Sequence, residues 1–160
     1  MSHRRLAVEF VCLGNICRSP LGEGIFRHRV ALAGLSERFE IASAGTGGWH
    51  VGEPPDPRSV AVARRHGIDI SAQRGRQLVA GHLDHYDEIL AMDTSNLRGI
   101  RRFERAGQRA RLGLLLAETP EVGETDVPDP YSGVDRDFET VFTLVDGACA
   151  ALLDRLRAKL

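Results

Sequence analysis

Residues 6–26 read LAVEFVCLGNICRSPLGEGIF, an apolar run that passes through a short loop into a helix-forming stretch. The apolar run is broken only by Glu9 and predicts a buried strand that ends at Cys12. Pro20 suits the first turn of a helix, and Ser19 before it is a residue type that caps helices. We therefore expect a strand, a tight loop, and a helix that begins near Ser19.

The loop between this strand and this helix is predicted to bind an anion. A tight loop of this kind directs several backbone N–H groups to one point, and the positive end of the helix dipole adds to them. Cys12 lies at the base of the loop and Arg18 lies six residues later, at its rim. Such surroundings draw a thiol towards the thiolate, and a guanidinium binds two phosphate oxygens at once. The pattern favours phosphoryl transfer to Cys12 over a buried structural cysteine beside a capping serine.

Several further segments make this pattern specific. They read SAGT, RHGI, MDTSNL, DPY and DFETV, at residues 43–46, 65–68, 92–97, 129–131 and 137–141. Together with the loop they resemble the low-molecular-weight protein tyrosine phosphatases, in the order in which that family has them. The resemblance extends over nearly the whole chain. It implies metal-independent hydrolysis of phosphotyrosine and aryl phosphates through a phosphocysteine intermediate, without a cofactor.

The resemblance implies a nucleophile, an acid and a phosphate-binding loop. Cys12 attacks phosphorus and Arg18 binds the phosphoryl oxygens. Asp129, between two prolines on a long loop, protonates the leaving oxygen, whereas Asp126 and Asp135 are weaker candidates. Taken alone, an Asp before Pro is more often a turn residue. The other members of the phosphate-binding loop are Leu13, Gly14, Asn15, Ile16, Cys17 and Ser19.

Four residues are expected to support the loop or the Cys12 sulfur. Asn15 lies in mid-loop, where a left-handed backbone is plausible and Asn tolerates it well. The resemblance implies that Ser43 and His66 hold Asn15 in place. Ser19 is expected to donate a hydrogen bond to the Cys12 sulfur when that sulfur leaves phosphorus.

The mouth of the pocket is expected to suit a phenyl ring. Leu13, Trp49 and Tyr131 resemble family positions that flank the ring, and Trp49 is the only tryptophan, in a Gly-rich loop. Arginine phosphatases of the same fold carry Thr where this chain has Ile16. An apolar Ile16 favours phosphotyrosine over phosphoarginine, which stays as the alternative substrate.

Two other functions remain as rivals. Thioredoxin-coupled arsenate reductases resemble the loop, but they need two later cysteines, and residues 19–148 contain none. A phosphate- or phosphotyrosine-binding protein without catalysis is the rival from another class. The presence of Cys12, Arg18 and Asp129 together argues against it.

The cysteines also bear on redox chemistry and on compartment. Cys17 lies five residues from Cys12, so an oxidised Cys12 is expected to form a reversible disulfide with it. Cys149 lies in a helical apolar pattern and is interpreted as a core residue. Three cysteines without framework spacing are typical of a reducing compartment, which predicts a cytoplasmic protein.

The bulk properties set limits on organisation and partners. The 160 residues suit one domain, residues 1–160, that acts on phosphotyrosine-containing proteins as a monomer or weak dimer. The net charge of −1 gives no general attraction to nucleic acid or membranes, and no metal site is predicted. A basic run over residues 98–111 is interpreted as solvated surface, with contact to an acidic partner as the alternative.

Strand and helix patterns alternate along the chain. This order predicts a single-domain α/β fold with a four-stranded parallel sheet and helices on both faces, flavodoxin-like or Rossmann-like. Gly22 and Gly24 are expected to loosen the first helix, since glycine disfavours helices. Strands are predicted over 5–12, 39–42, 86–92 and 109–116, and helices over 19–34, 58–66, 78–82, 95–104 and 137–158.

Overall fold

The apolar runs of the sequence form the four strands of one parallel sheet. The computed structural model describes residues 4–160, so the first three residues of the predicted domain lie outside the described part. Along the chain the elements are β1 (Leu6–Cys12), α1 (Arg18–Leu32), β2 (Phe39–Gly45), α2 (Pro57–Arg65), α3 (His82–His85), β3 (Glu88–Ala91), α4 (Thr94–Arg101), β4 (Arg111–Leu114) and α5 (Asp135–Arg157), with short 3-10 helices at Ser36–Arg38, Leu115–Glu118 and Pro120–Val122.

The sheet has the strand order β2-β1-β3-β4, and all its pairs are parallel. The first strand of the chain is therefore a central strand, flanked by β2 on one side and β3 on the other. Crossover helices connect the strands, as parallel pairing requires. The predicted fold class is confirmed.

Helices cover both faces of the sheet, because alternate residues of β1 point to opposite sides. On one face, Val8 and Phe10 pack into a core shared with α1, α2 and α5. On the other face, Ala7 and Val11 pack into a smaller core beneath α3 and α4. Within residues 4–160, no helix combines the length and the apolar character needed to cross a membrane.

Several element boundaries differ from the sequence prediction by a few residues, and two of the differences have a clear physical reason. The short helix predicted over 78–82 lies later, at His82–His85, because residues 76–78 are bonded to Gly45 of β2 instead. The strand predicted over 109–116 ends at Leu114. The next residues turn into a 3-10 helix that buries Leu115 and Leu116.

The glycines of α1 let the helix pack closely against its neighbours. A Cβ on Gly22 would lie 2.8 Å from the Phe10 ring, and one on Gly24 would lie 2.3 Å from Ile70. The helix passes so near to its neighbours that a methyl group has no room there. The expectation that these glycines loosen the helix stays a prediction, and the close packing acts against it.

Candidate active site at the carboxyl end of the central strand

The loop after Cys12 lies at the carboxyl edge of the sheet. Cys12 pairs with Gly45 of β2, and Val11 pairs with Ala91 of β3, so the ends of three strands meet here. The strand order reverses direction at β1, and open parallel sheets bind ligands at such a point. A Cβ on Gly45 would lie 2.8 Å from the Leu13 carbonyl oxygen, so only glycine lets β2 approach the loop this closely.

The loop leaves its backbone donors available. Within residues 4–160, the N–H groups of residues 13–17 donate to no protein acceptor. Unpaired N–H groups around one cavity suit an acceptor from outside the chain. The N-terminus of α1, at Arg18, directly follows. Together they form a concave group of donors of the kind that binds anions.

Asn15 fixes the shape of the loop. It has a φ of 59° and is the only non-glycine residue with positive φ among residues 4–160. Its side chain is buried and fully bonded. The Asn15 amide nitrogen donates to Ser19 Oγ at 2.8 Å and to Ser43 Oγ at 3.0 Å, and its oxygen accepts from the Arg76 backbone N–H at 3.0 Å. Ser43 is thus where the resemblance implied.

His66 is not part of this network, contrary to expectation. It lies at the exposed end of α2, where its ring stacks on Phe142 at 4.0 Å and its Nε2 lies 3.1 Å from Glu139. The helix end points towards α5, away from the phosphate-binding loop. Arg76, and not His66, is the remaining hydrogen-bond partner of Asn15. It contributes its backbone N–H, a group that no pattern of side chains in the sequence reveals.

Ser19 contacts the Cys12 sulfur directly. The Ser19 Oγ lies 3.0 Å from Cys12 Sγ and 3.4 Å from the Ala44 carbonyl oxygen. Since Ser19 Oγ already accepts from Asn15, its own proton is free for the nearer sulfur when that sulfur is anionic. The predicted capping role of Ser19 is wrong. The helix begins at Arg18, with Cys17 at the N-cap, and no side chain caps it.

One terminal nitrogen of the Arg18 guanidinium is hydrogen-bonded within the protein, and the other terminal nitrogen is not. Nη1 donates to Asp93 at 2.7 Å and to the Val127 carbonyl oxygen at 2.9 Å. Nη2 lies 3.8 Å from Asp129 Oδ2, beyond hydrogen-bond distance, and so has donors left for a ligand. Burial disfavours the charged form, but Cys12 and the bond to Asp93 raise the Arg18 pKa above its ordinary value.

The segment that carries Asp129 is anchored at both ends. At one end Asp126 accepts from Thr94, at 3.0 Å from its N–H and 2.8 Å from its hydroxyl. At the other end the Arg58 guanidinium donates to the carbonyl oxygens of Tyr131 and Gly133, at 2.9 and 3.1 Å. The Asp129 carboxylate itself is half exposed and accepts from the Tyr131 N–H at 3.1 Å.

Arg58 is positioned by contacts on α2. Its side chain and backbone donate to Asp56, which caps the helix, and its guanidinium lies 4.5 Å above the centre of the Phe138 ring. These bonds to Asp56 raise the Arg58 pKa. Burial opposes ionisation of Asp56, but the bonds from Arg58 prevail and lower its pKa.

A single cavity of about 210 Å³ unites the predicted residues. This is smaller than a pocket for a drug-sized ligand and suits a compact head group. At its base lie Cys12 and Arg18, and Asp129 lies at the side. The walls comprise Leu13, Gly14, Ile16, Cys17, Trp49, His50 and Tyr131.

The pocket mouth is apolar and open. Trp49 is 69% exposed, Tyr131 54% and Leu13 46%, far more than large apolar side chains in a core. All three border the cavity as predicted, and His50 is an additional wall residue. Exposed aromatic rings around a polar base suit a flat apolar group that carries an anionic end.

The two remaining cysteines are protonated at neutral pH. Burial first, and then Asp56, Cys12 and Asp129, raise the pKa of Cys17 to about 12. Burial also raises the pKa of Cys149, which is fully buried in α5. At pH 7 both thiols are therefore almost entirely in the protonated, weakly nucleophilic form.

Sequence reasoning missed four residues of the site. Asp93 lies in the segment MDTSNL, which carries part of the family resemblance, so the sequence could have indicated that it belongs to the site. His50 lies next to Trp49 and offered a weaker one. Arg58 and Arg76 act across elements distant in the chain, and nothing in their local sequence reveals this.

Comparison with known proteins identifies the family of the chain. The sequence profile of the family described as low molecular weight phosphotyrosine protein phosphatase matches residues 7–160. The low molecular weight phosphotyrosine protein phosphatase of Schizosaccharomyces pombe is 44% identical over 146 residues, which cover 89% of this chain and 92% of that protein. The low molecular weight protein-tyrosine-phosphatase of Streptomyces coelicolor is 43% identical over 153 residues, 94% of this chain and 93% of that protein. The crystal structure of YfkJ from Bacillus subtilis superposes with a TM-score of 0.90 at 37% identity and covers 99% of both chains.

Proposed function

The chain belongs to the low molecular weight phosphotyrosine protein phosphatase family, and from this membership we propose that it hydrolyses phosphotyrosine in protein substrates. The family predicted from the sequence is confirmed. The observation that carries the proposal is the convergence of Cys12, Arg18 and Asp129 on one small cavity with an aromatic mouth. A thiol, a guanidinium and a carboxyl group in that arrangement suit attack on a phosphate monoester.

In the first step, the Cys12 thiolate attacks phosphorus in line with the leaving oxygen. Arg18 and the free N–H groups of residues 13–17 bind the three equatorial oxygens as charge moves towards the leaving group. Asp129 delivers its proton to the phenolate oxygen. The products are a phosphocysteine and the free tyrosine side chain.

In the second step, water hydrolyses the phosphocysteine. The Asp129 carboxylate, now without its proton, takes one from the attacking water. The sulfur leaves phosphorus as a thiolate, and Ser19 Oγ at 3.0 Å stabilises it by donating a hydrogen bond. In this scheme the protein's own donors carry the charge stabilisation, so we expect full turnover in EDTA.

The roles of the wall residues follow from their positions. We propose that Leu13, Trp49 and Tyr131 contact the phenyl ring, with Ile16 closer to the phosphate. Asn15 and Ser43 keep the loop in its left-handed turn. We further propose that residues 1–160 act as one phosphatase domain, a monomer or weak dimer, in the cytoplasm.

The test is hydrolysis of phosphotyrosine, p-nitrophenyl phosphate and phosphoarginine in EDTA. We expect turnover of both aryl phosphates and little of phosphoarginine. Cys12→Ser should abolish turnover, and Asp129→Ala should lower kcat by about 10²–10⁴-fold, the usual contribution of a general acid. Glu124→Gln changes an exposed carboxylate of the same loop and serves as the matched control, with kcat unchanged.

Other outcomes distinguish the rivals. A clear preference for phosphoarginine would change the substrate class and show that the apolar Ile16 does not select the ring. Tight phosphate binding without turnover of any substrate would contradict the proposed phosphatase activity. The protein would then be a phosphate-binding protein without catalysis.

A further inference from the structure

A carboxylate lies in the middle of the central strand, on the face of β1 that also carries the apolar residues Ala7 and Val11. Glu9 of β1 is 0% exposed, and its neighbours Ala42 and Ile89 pair with it from β2 and β3. Burying an ionised carboxylate costs several kcal/mol unless charged partners and hydrogen bonds compensate. The catalytic steps described above make no use of Glu9.

The compensation comes from a cluster led by Arg76. Arg76 Nη2 donates to Glu9 Oε2 at 2.5 Å and to the Tyr86 hydroxyl, and its Nε donates to the Ser43 carbonyl oxygen at 2.9 Å. His82 Nδ1 lies 3.0 Å from the same Glu9 oxygen. Burial acts against the charge of Arg76, but Tyr86 and Glu9 raise its pKa, so the guanidinium stays charged.

The backbone of Arg76 contacts the phosphate-binding loop. Its N–H donates to Asn15 Oδ1 at 3.0 Å, and its carbonyl oxygen accepts from the Gly45 N–H at 2.9 Å. Arg76 lies outside the helices, and its backbone is tied to β2 through the Gly45 N–H and the isolated bridge between Gly45 and Gln77. Its side chain, bonded to Glu9 and to the Ser43 carbonyl oxygen, adds a second restraint on this stretch.

We propose that Glu9 and Arg76 are positioning residues for the phosphate-binding loop. The buried charge of Glu9 holds the Arg76 guanidinium, which holds the Arg76 N–H against Asn15 and so keeps the strained turn in its anion-binding shape. The inference rests on the proposed function only for its turnover readout. Phosphate binding reports on the loop whether or not the protein is an enzyme.

The variants are Glu9→Gln, which keeps the shape but removes the charge, and Arg76→Lys, which keeps the charge but removes the bond to Ser43. Glu104→Gln breaks an exposed ion pair with Arg101 and is the matched control. The dissociation constant of inorganic phosphate is measured from the fluorescence of Trp49, the only tryptophan, at the mouth of the cavity. The kcat for p-nitrophenyl phosphate is measured in parallel.

We expect Glu9→Gln to raise the phosphate dissociation constant about fivefold or more and to lower kcat about tenfold. Arg76→Lys should have an intermediate effect, and the control should stay within twofold of wild type. A lower melting temperature with unchanged phosphate affinity and kcat in both variants would show that the pair only stabilises the fold, and would overturn the proposal.

A double-mutant cycle with Asn15→Ala tests the route of the effect. If the pair acts through Asn15, adding Glu9→Gln to Asn15→Ala should change the phosphate dissociation constant by less than twofold. Independent effects that multiply would contradict this route. If wild type binds phosphate but hydrolyses no aryl phosphate, the proposed function fails while the binding measurements still decide the positioning role.

Discussion

At the scale of single residues, two buried thiols of one loop lie against different groups. Cys12 lies at the base of the cavity, 3.0 Å from a serine hydroxyl. Cys17 is buried, and burial together with Asp56 raises its pKa to about 12. The loop therefore combines the proposed nucleophile with a second thiol that stays protonated at pH 7.

This contrast predicts how a Cys12–Cys17 disulfide would form. Peroxide oxidises Cys12 to a sulfenic acid, and the Cys17 thiolate must then attack it and release hydroxide. Because the pKa of Cys17 is about 12, its thiolate fraction rises about tenfold per pH unit below that value. We expect disulfide closure, followed by mass spectrometry, to become about tenfold faster from pH 7 to pH 8.

A matched control for this prediction is Cys149→Ser, which should leave the closure rate unchanged. Cys17→Ser should prevent recovery of activity by a reductant after peroxide treatment. Full recovery in that variant would contradict a protective disulfide, and a closure rate independent of pH would contradict attack by Cys17.

At this scale the sequence predicts the residues proposed to react with the phosphate better than the residues that hold the loop in place. Cys12 and Arg18 are predictable because a thiol and a guanidinium at that spacing, between a strand and a helix, rarely occur together for a purely structural reason. The prediction for His66 is wrong because residue type alone does not tell which way a helix end points. Arg76 acts on Asn15 through its backbone N–H, a group that every residue except proline has.

At the scale of elements, α1 depends on its glycines for close packing. A Cβ on Gly24 would lie 2.3 Å from Ile70, whereas Gly147 in α5 has nothing within 4 Å of the same position. Both glycines disfavour a helix to a similar degree. Comparing substitutions at Gly24 and Gly147 therefore separates the intrinsic helix preference of the residue from the effect of packing around it.

We expect Gly24→Ala to lower the free energy of unfolding by about 1–2 kcal/mol, since overpacking outweighs the gain in helix propensity. Gly147→Ala should raise it by up to about 1 kcal/mol. Urea unfolding monitored by circular dichroism measures both. Stabilisation by Gly24→Ala would show that α1 can shift away from Ile70 at little cost.

The segment that carries Asp129 depends on Arg58 of α2 for its position. We expect Arg58→Ala to lower kcat/KM about tenfold for aryl phosphates with basic leaving groups, and less for p-nitrophenyl phosphate, because the better leaving group needs less help from an acid. Arg58→Lys should recover only part of the loss, since it cannot bond both carbonyl oxygens.

Arg64→Ala is the matched control, because Arg64 lies on the same helix but pairs only loosely with Asp69 at 3.8 Å. It should leave kcat/KM unchanged for every leaving group. An equal loss for all leaving groups in Arg58→Ala would indicate that Arg58 supports the pocket in general and not the acid.

At the scale of the whole molecule, Asp87 ties together the amino end of the sheet. Its carboxylate accepts from the Ala7 N–H at 2.8 Å and from Arg109 at 3.0 Å, and its carbonyl oxygen accepts from the Arg111 N–H at 2.9 Å. Burial opposes its ionisation, but the bonds from Ala7 and Arg109 prevail and lower its pKa. One residue, through its side chain and its backbone, thus links β1 with the start of β4.

This pKa predicts lower stability in acid. Because the folded pKa of Asp87 lies below the unfolded value of about 3.9, its stabilisation is present above about pH 4 and is lost as the pH falls through the folded pKa. Asp87→Asn should cost about 1–3 kcal/mol at pH 7 and much less at pH 3, measured by urea unfolding.

The control for this prediction is Glu37→Gln, which changes an exposed carboxylate in the 3-10 helix Ser36–Arg38. It should have a small effect that is similar at the two pH values. An Asp87→Asn loss that is equal at pH 7 and pH 3 would show that shape, and not charge, accounts for the role of Asp87.

The architecture is predictable because strand and helix patterns alternate without interruption. The parallel sheet and the position of the site after β1 follow from that alternation. The ends of helices and strands are less predictable where the local sequence pattern favours one structure and the burial of side chains favours another. Leu115 and Leu116 continue an apolar run that reads as strand, yet the chain turns there to bury both side chains against α5.

The central place of β1 has a consequence for synthesis on the ribosome. β1 is made before both of its neighbours, which begin at Phe39 and Glu88, and α5, which packs on α1, begins only at Asp135. A nascent chain therefore carries β1 without its partner β3 until more than half of the residues have been added, and α1 without α5 for longer still. Such non-local pairing folds slowly, so the unfinished chain is the form most in need of a chaperone.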